Sequence, residues 1–218
     1  MTTKPQLLDF WKTKNINPEL LLAFAQIPRE MFVPPQLQRF AYEDRSLPTI
    51  RQQSISQPST IMMMMQALEL QPGEKVLEVG AGVGYQAALL ATIVGKNGKV
   101  VSLEVIPELV QIARQNLARL NIHHVTILEG DGGEGYPEQA PYDRMIITAA
   151  CPAIPEPLLS QLREGGTIVA PVGDLTGQVM VKGVNVQGKL EFEFLGPFLF
   201  VPLKGRHGFT EMEMLYQQ

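Results

Sequence analysis

Three carboxylates and a run of glycines are the residues best placed to do chemistry. Glu78 opens "EVGAGVGYQ" (78–86), where Gly80, Gly82 and Gly84 let the backbone come close to a ligand. Glu104 ends a second apolar run about 20 residues beyond the glycines, where a carboxylate can accept both hydroxyls of a ribose. Asp131, in "EGDGGEGYP", follows a third run and could accept from an adenine amino group. A P-loop is ruled out, because no Lys-Ser or Lys-Thr follows the glycines. A dinucleotide fingerprint wants G-x-G-x-x-G, and here Tyr85 occupies the sixth position. That reading is weakened but stands.

The remaining candidate is S-adenosylmethionine, an adenosine with a cationic amino-acid tail and no phosphate. Glu78 suits it: an acid there can meet an ammonium directly or through water, whereas beside a pyrophosphate it would repel. One such acid alone is weak, since acids at strand ends are usually just solvated. The three together, at successive strand ends, are more specific.

The elements that must position them alternate. Strand-like runs at 75–79, 99–105, 125–130, 142–150 and 166–173 are interleaved with helical stretches at 85–94, 108–120 and 155–164. This predicts an α/β, Rossmann-like fold with a mostly parallel sheet covered by helices. Beyond Gly177, two partly alternating runs flank Gln187-Gly188 and predict an antiparallel hairpin closing the sheet edge. Before residue 60 the chain reads as helices broken by prolines, then a long irregular stretch (42–58) of the kind that often carries function. The chain thus reads as one domain, 1–218: an extension (1–60), a cofactor-binding core (61–175) and a hairpin with tail (176–218).

Composition narrows the classes. A net charge of -4 lacks the basic footprint of a nucleic-acid binder. The longest apolar run falls well short of the roughly 20 residues that span a bilayer, so no membrane role is expected. The polar start "MTTKPQLLDFWKTKN" has no apolar signal region, and the single cysteine, Cys151, fits a reducing cytoplasm. Cys151 has no local partner for nucleophilic work and reads as a small buried thiol.

The acceptor is harder to read. Enzymes that methylate nucleobase or glutamine nitrogens keep Asn/Asp-Pro-Pro-aromatic after the fourth strand, where this chain has "TAACP" (148–152). An acceptor that is already an anion needs no base, and a peptide α-carboxylate is ionised at neutral pH. It needs only to be desolvated and aimed, which hydroxyl and amide donors can do.

Here "QQSISQPSTIMMMM" (52–65) becomes informative, because it resembles the "QTISQP" signature of the protein-L-isoaspartate O-methyltransferases. The resemblance runs from about 28 to 205, through "PREMFVP" (28–34), "AYEDRSLP" (41–48), the glycine loop, "EGDGGEGYPEQAPYDRMIITAA" (129–150), "LREGGTIVAPVG" (162–173) and "FVPLKG" (200–205). It implies methylation of the α-carboxyl of L-isoaspartyl residues in damaged proteins, starting repair through a succinimide. D-aspartyl residues stay open as a second substrate.

By resemblance, Ser56 matches the active-site serine and Ser54 the threonine two before it. Ser54, Ser56, Glu78, Gly80, Ala81, Gly82, Gly84, Glu104, Val105, Asp131 and Gly132 become the cofactor-binding set. Ser56, Gln57, Pro58, Val201, Pro202 and Leu203 become the substrate-binding set, and a monomer is implied. An independent local reading makes Ser56 the cap of a helix entered through Pro58. Met62 to Met65 should form that helix's buried side.

The chain departs from the family at "PTIRQQS" (48–54), where "PIGxGQT" is usual; Arg51 there could meet a substrate carboxylate. Other readings are a methyltransferase acting on a small molecule or tRNA, a non-catalytic binding module, and, further off, a nicotinamide oxidoreductase.

Overall fold

The structure is a computed structural model that describes residues 2–215. Its centre is a seven-stranded sheet of order β5-β4-β3-β6-β7-β8-β9, formed by β3 (Lys75–Val79), β4 (Lys99–Glu104), β5 (Val125–Glu129), β6 (Tyr142–Ile147), β7 (Leu162–Asp174), β8 (Gly177–Val186) and β9 (Lys189–Phe198). The first five of these run parallel, and β7, β8 and β9 pair antiparallel. The order places β3 beside both β4 and β6, so the chain switches direction across the sheet at the end of β3. Ligands of open α/β sheets sit in the crevice at such a point. Gln187 and Gly188 both take positive φ, as a two-residue hairpin turn between β8 and β9 requires.

Helices α1 (Lys4–Thr13), α2 (Pro18–Gln26) and α3 (Pro58–Leu68) belong to the N-terminal part, and α4 (Tyr85–Val94), α5 (Pro107–Arg119), α6 (Glu156–Gln161) and α7 (Glu211–Leu215) follow. Nearly all of α4 is buried, because α2 packs against it on the side away from the sheet. That double cover explains why "YQAALLATIV" is apolar all round rather than along one stripe. Trp11 and Phe24 meet edge to face at 4.6 Å, and the Trp11 indole donates to Ser59 Oγ at 2.8 Å. The N-terminal helices are thereby fastened to α3. Met62, Met64 and Met65 are buried in this core, as expected.

Two boundaries differ from the sequence reading. The helix expected over 155–164 is only Glu156–Gln161, and Leu162 passes straight into β7 opposite Tyr142. The register then shifts before Arg144 pairs with Thr167, with Gly165 at φ +68 in the intervening bulge. The strand expected over 142–150 ends at Ile147. Residues 148–151 leave the ladder, and Ala150 bridges Pro202 while Cys151 bridges Val172. The irregular N-terminal stretch also contains a small hairpin, β1 (Leu47–Pro48) against β2 (Ser54–Ile55). No helix among the described residues is long and apolar enough to cross a membrane.

Candidate active site

A cleft opens where β3, β4 and β6 end. Its floor is the loop Gly80–Val83, with Gly80 and Gly82 at φ +95 and +53. A Cβ on Gly80 would lie 2.4 Å from Thr148 Oγ1, so this glycine is required by contact as well as by φ. A Cβ on Gly82 would meet no protein atom within 4 Å and would project into open space. Gly84, the third glycine, does not line the cleft. It starts α4 at φ +86, and a Cβ there would press on Ala113 of α5 at 3.1 Å, so its role is helix packing. The ligand role expected for Gly84 is corrected accordingly.

The three carboxylates separate. Glu104 lines the cleft, accepting the Gly82 N–H at 2.8 Å on one oxygen and the Ile106 N–H at 3.0 Å on the other. Burial raises its pKa, and these backbone donors oppose the rise. Each oxygen keeps a lone pair free to accept one further hydrogen bond. Val105 and Ile106 continue this wall.

Glu78 does not reach the cleft. It is fully buried inside the sheet, where Ser102 Oγ donates to Oε2, and Oε1 has no partner among the described residues. Burial pushes its pKa up to about 8, with the nearby Glu104 adding a smaller rise. The direct contact with a ligand ammonium is therefore corrected: Glu78 supports the loop from behind.

Asp131 is likewise absent from the cleft wall. Oδ1 accepts the Gly133 N–H at 2.9 Å and Oδ2 the Arg206 N–H at 2.7 Å, so the carboxylate ties the loop to the C-terminal segment. Gly132 is the member of the pair that lines the cleft, together with Ala81.

Ser54 and Ser56 face the same cavities, with Ile55 between them buried in the core. The capping role for Ser56 does not hold: Gln57 is the N-cap of α3, with Pro58 following, and no side-chain cap bond forms. Asp44 serves that helix end from a distance, accepting the Ser59 N–H at 2.8 Å. The Ser56 carbonyl accepts from Arg29 Nη2 at 2.7 Å, and Arg29 Nε donates to the Ala41 carbonyl at 2.8 Å. Arg29 is fully buried, 5.1 Å from the Tyr85 ring centroid, and burial lowers its pKa to about 10. It remains charged at neutral pH and pins the serine segment to the body of the protein.

A second cavity of about 550 Å³ adjoins the first. Ser46, Gln57, Thr60 and Leu199 are among its lining residues, and Ser54, Ser56, Thr148 and Val201 line both cavities. The 201–203 segment is held by backbone: Ala150 N–H donates to the Val201 carbonyl at 2.8 Å, and Leu203 N–H to the Ala150 carbonyl at 2.7 Å. Val201, Pro202 and Leu203 all line the first cavity, while Pro58 is buried at the start of α3 and lines neither.

Sequence reasoning missed four contributors. Thr148 lay in a segment noticed only for the motif it lacks. Arg29 was quoted within "PREMFVP" without a role. Tyr85 and Gln86 line the first cavity, although Tyr85 Oη and Gln86 Nε2 are themselves buried, the former close to the Arg29 guanidinium. An arginine in an apolar stretch was the one signal available for Arg29. Arg51, read as a candidate for a substrate carboxylate, instead pairs with Glu108 at the start of α5. Cys151 is fully buried, its thiol pushed up to about 12 by burial, which leaves it inert.

A glycine-floored cleft at the switch point with a carboxylate on its wall fits S-adenosylmethionine. This fold and site define an S-adenosylmethionine-dependent methyltransferase of the Rossmann-like class. Similarity to known proteins is specific. The family described as Protein-L-isoaspartate(D-aspartate) O-methyltransferase matches over residues 2–208. The protein-L-isoaspartate O-methyltransferase of Methanoculleus marisnigri is 48% identical over 189 residues, covering 87% of this chain and 84% of the relative. That of Hyperthermus butylicus is 48% identical over 200 residues, covering 88% and 83%. A solved protein-L-isoaspartate O-methyltransferase superposes with a TM-score of 0.86 at 31% identity, covering 94% of this chain and 67% of that one. A Plasmodium falciparum structure in complex with S-adenosyl-L-homocysteine, 24% identical, shares the fold with a TM-score of 0.82 over 94% of this chain and 99% of that one. The chain belongs to the protein-L-isoaspartate (D-aspartate) O-methyltransferase family. It is an enzyme that uses S-adenosylmethionine to methylate isoaspartyl residues of proteins.

Proposed function

We propose that the first cavity takes the cofactor, the second takes the isoaspartyl segment of a damaged protein, and the methyl group passes across their shared wall. The observation that carries this division is that Ser54, Ser56, Thr148 and Val201 line both cavities. When bound, the cofactor supplies a methyl group on a positively charged sulfur. Glu104 holds the ribose hydroxyls, Gly80 to Gly82 and Gly132 let the nucleoside approach, and Val105 packs beside it. Tyr85 and Gln86, at the start of α4, close the same cavity.

On the other side, Ser54 and Ser56 donate hydroxyl protons to the acceptor carboxylate. Neither hydroxyl is engaged by another described residue. With the donor bound, a carboxylate oxygen held in this way would take up its methyl group as an ester, leaving the neutral thioether. No proton moves, so no general base is needed. Ser56 acts by aiming the acceptor, not as a nucleophile, and alignment is where such a displacement gains most. Gln57, Leu199 and Val201 frame the peptide, whereas Pro202 and Leu203 line only the first cavity; D-aspartyl residues form a second acceptor class. The chain works as a single-domain monomer in the cytoplasm, on proteins rather than nucleic acid.

The test is methyl transfer from labelled S-adenosylmethionine to an isoaspartyl peptide beside its normal-aspartyl twin. Label is expected on the isoaspartyl peptide alone and should leave as methanol in mild base, because a carboxyl ester is labile there. Equal labelling of both twins, or base-stable label, would overturn the acceptor assignment.

A further inference from the structure

Arg29 is fully buried and lines neither cavity, and no described carboxylate pairs with it. Its guanidinium donates to two backbone carbonyls, those of Ala41 and Ser56, with the Tyr85 hydroxyl close by. Asp44 is near enough to act on it through space, but Asp44 Oδ1 accepts the Ser59 N–H. A buried charge without a paired one is costly, so packing alone does not account for an arginine here. The bond to the Ser56 carbonyl, at 2.7 Å, is charge-assisted and stronger than one between neutral groups. It polarises the peptide it joins, which makes the N–H at the other end of that peptide, the Gln57 N–H, a better donor. The Ser56–Gln57 peptide is trans, so this N–H points away from Arg29. It has no acceptor among the described residues, and Ser56 and Gln57 both line the second cavity.

We infer that Arg29 is a positioning residue for the reaction: it fixes and polarises the Ser56–Gln57 peptide so that the Gln57 N–H, beside the Ser56 hydroxyl, donates to the acceptor carboxylate. A preoriented backbone donor costs no reorganisation when the anion enters. The role needs a guanidinium rather than any cation, because only the planar fork reaches the Ala41 and Ser56 carbonyls together. The contact is made with the bound anion and relaxes as its charge passes into the ester. It therefore supports peptide binding more than the transfer step, and cofactor affinity does not depend on it.

The inference rests on the reading of the second cavity as the acceptor site, and the experiment separates the two. Gln57 has φ -50 and ψ 135, a conformation proline adopts, so Gln57→Pro removes the N–H with little change of backbone. Gln57→Ala measures the loss of the side chain alone. Isoaspartyl-peptide KM and kcat, and S-adenosylhomocysteine Kd by calorimetry, are measured for both variants, for Arg29→Lys and for Arg29→Lys with Gln57→Pro. Gln57→Pro is expected to raise peptide KM by about tenfold over Gln57→Ala, with kcat and the cofactor-product Kd within about twofold. Arg29→Lys is expected to raise KM to a similar degree, and to add less than about twofold once Gln57→Pro is present. Equal KM for the proline and alanine variants would overturn the inference. So would fully additive effects of Arg29→Lys and Gln57→Pro, or a parallel loss of cofactor affinity, either of which would make Arg29 a support of the fold alone. If Gln57→Pro fails to fold, an ester in place of the 56–57 peptide removes the same N–H and is read in the same way. A wild type that labels no isoaspartyl peptide would overturn the acceptor reading and the inference with it, whereas a labelling wild type with unaffected variants overturns the inference alone.

Discussion

The two sides of the shared wall are built from different kinds of chain. On the cofactor side are strand ends and the turns that follow them: Gly80 to Val83 after β3, Glu104 to Ile106 after β4, Gly132 after β5. Each is fixed by the parallel ladder immediately before it. On the side proposed for the acceptor are segments that return from far along the chain: the 54–57 segment, pinned by Arg29, and the 197–201 segment, whose Val201 carbonyl accepts from the Ala150 N–H. The first is set by local sequence and sheet order; the second needs long-range contacts to exist at all. Damage to the first should therefore show in cofactor binding, and damage to the second in the peptide.

The largest effect should come from the loop floor. Gly80→Val forces a β-branched residue to φ +95 and drives Cβ into Thr148 Oγ1. Cofactor affinity is expected to fall by about a hundredfold or more, measured by calorimetry. Affinity within a few-fold of wild type would mean that the loop is not the cofactor cradle.

Next is the support behind that loop. The folded chain holds the Glu78 proton up to about pH 8, whereas the unfolded chain releases it near the ordinary carboxylate value of 4.5. Between these values the native state binds more protons, so stability falls as pH rises through the window and levels off above it. Melting temperature should decline over that range in the wild type and less steeply in Glu78→Gln. Parallel curves for the two proteins would locate the pH dependence elsewhere.

The smallest effect is expected where Arg51, in the 49–53 turn, pairs with Glu108 at the start of α5, both side chains being exposed. Arg51→Ala should change the cofactor KM by no more than about threefold, and less at high salt. A larger loss would show that the 49–53 turn closes over the ligand in a way the ion pair controls.

This contrast also explains what could be read from the sequence. The sheet, most helices, the hairpin turn at Gln187-Gly188 and Glu104 were legible because each is announced by periodicity or by a carboxylate at a strand end. Glu78 and Asp131 carried the same signal, yet the first points into the sheet beside Ser102 and the second ties the loop to Arg206. Strand-end position does not reveal which face a side chain takes or what reaches back to meet it. Gly84 misled for a related reason, its neighbour being Ala113 on another helix. Ser54, Ser56 and 201–203 came only through resemblance, since nothing local says that residue 202 will bridge residue 150. Arg29 and Thr148 act through backbone carbonyls, which leave no mark on the side-chain pattern.

The central claim is that one wall separates two independently built sites, and a pair of variants measured together tests it most directly. Glu104→Gln and Ser56→Ala are each assayed for S-adenosylhomocysteine affinity by calorimetry and for isoaspartyl-peptide kcat/KM at saturating cofactor. Glu104→Gln is expected to lose about tenfold or more in affinity while keeping most of its rate once saturated. Ser56→Ala is expected to bind the cofactor product as the wild type does and to lose between about ten- and a hundredfold in peptide kcat/KM. If both variants lose both properties in parallel, the two cavities are one site and the division fails.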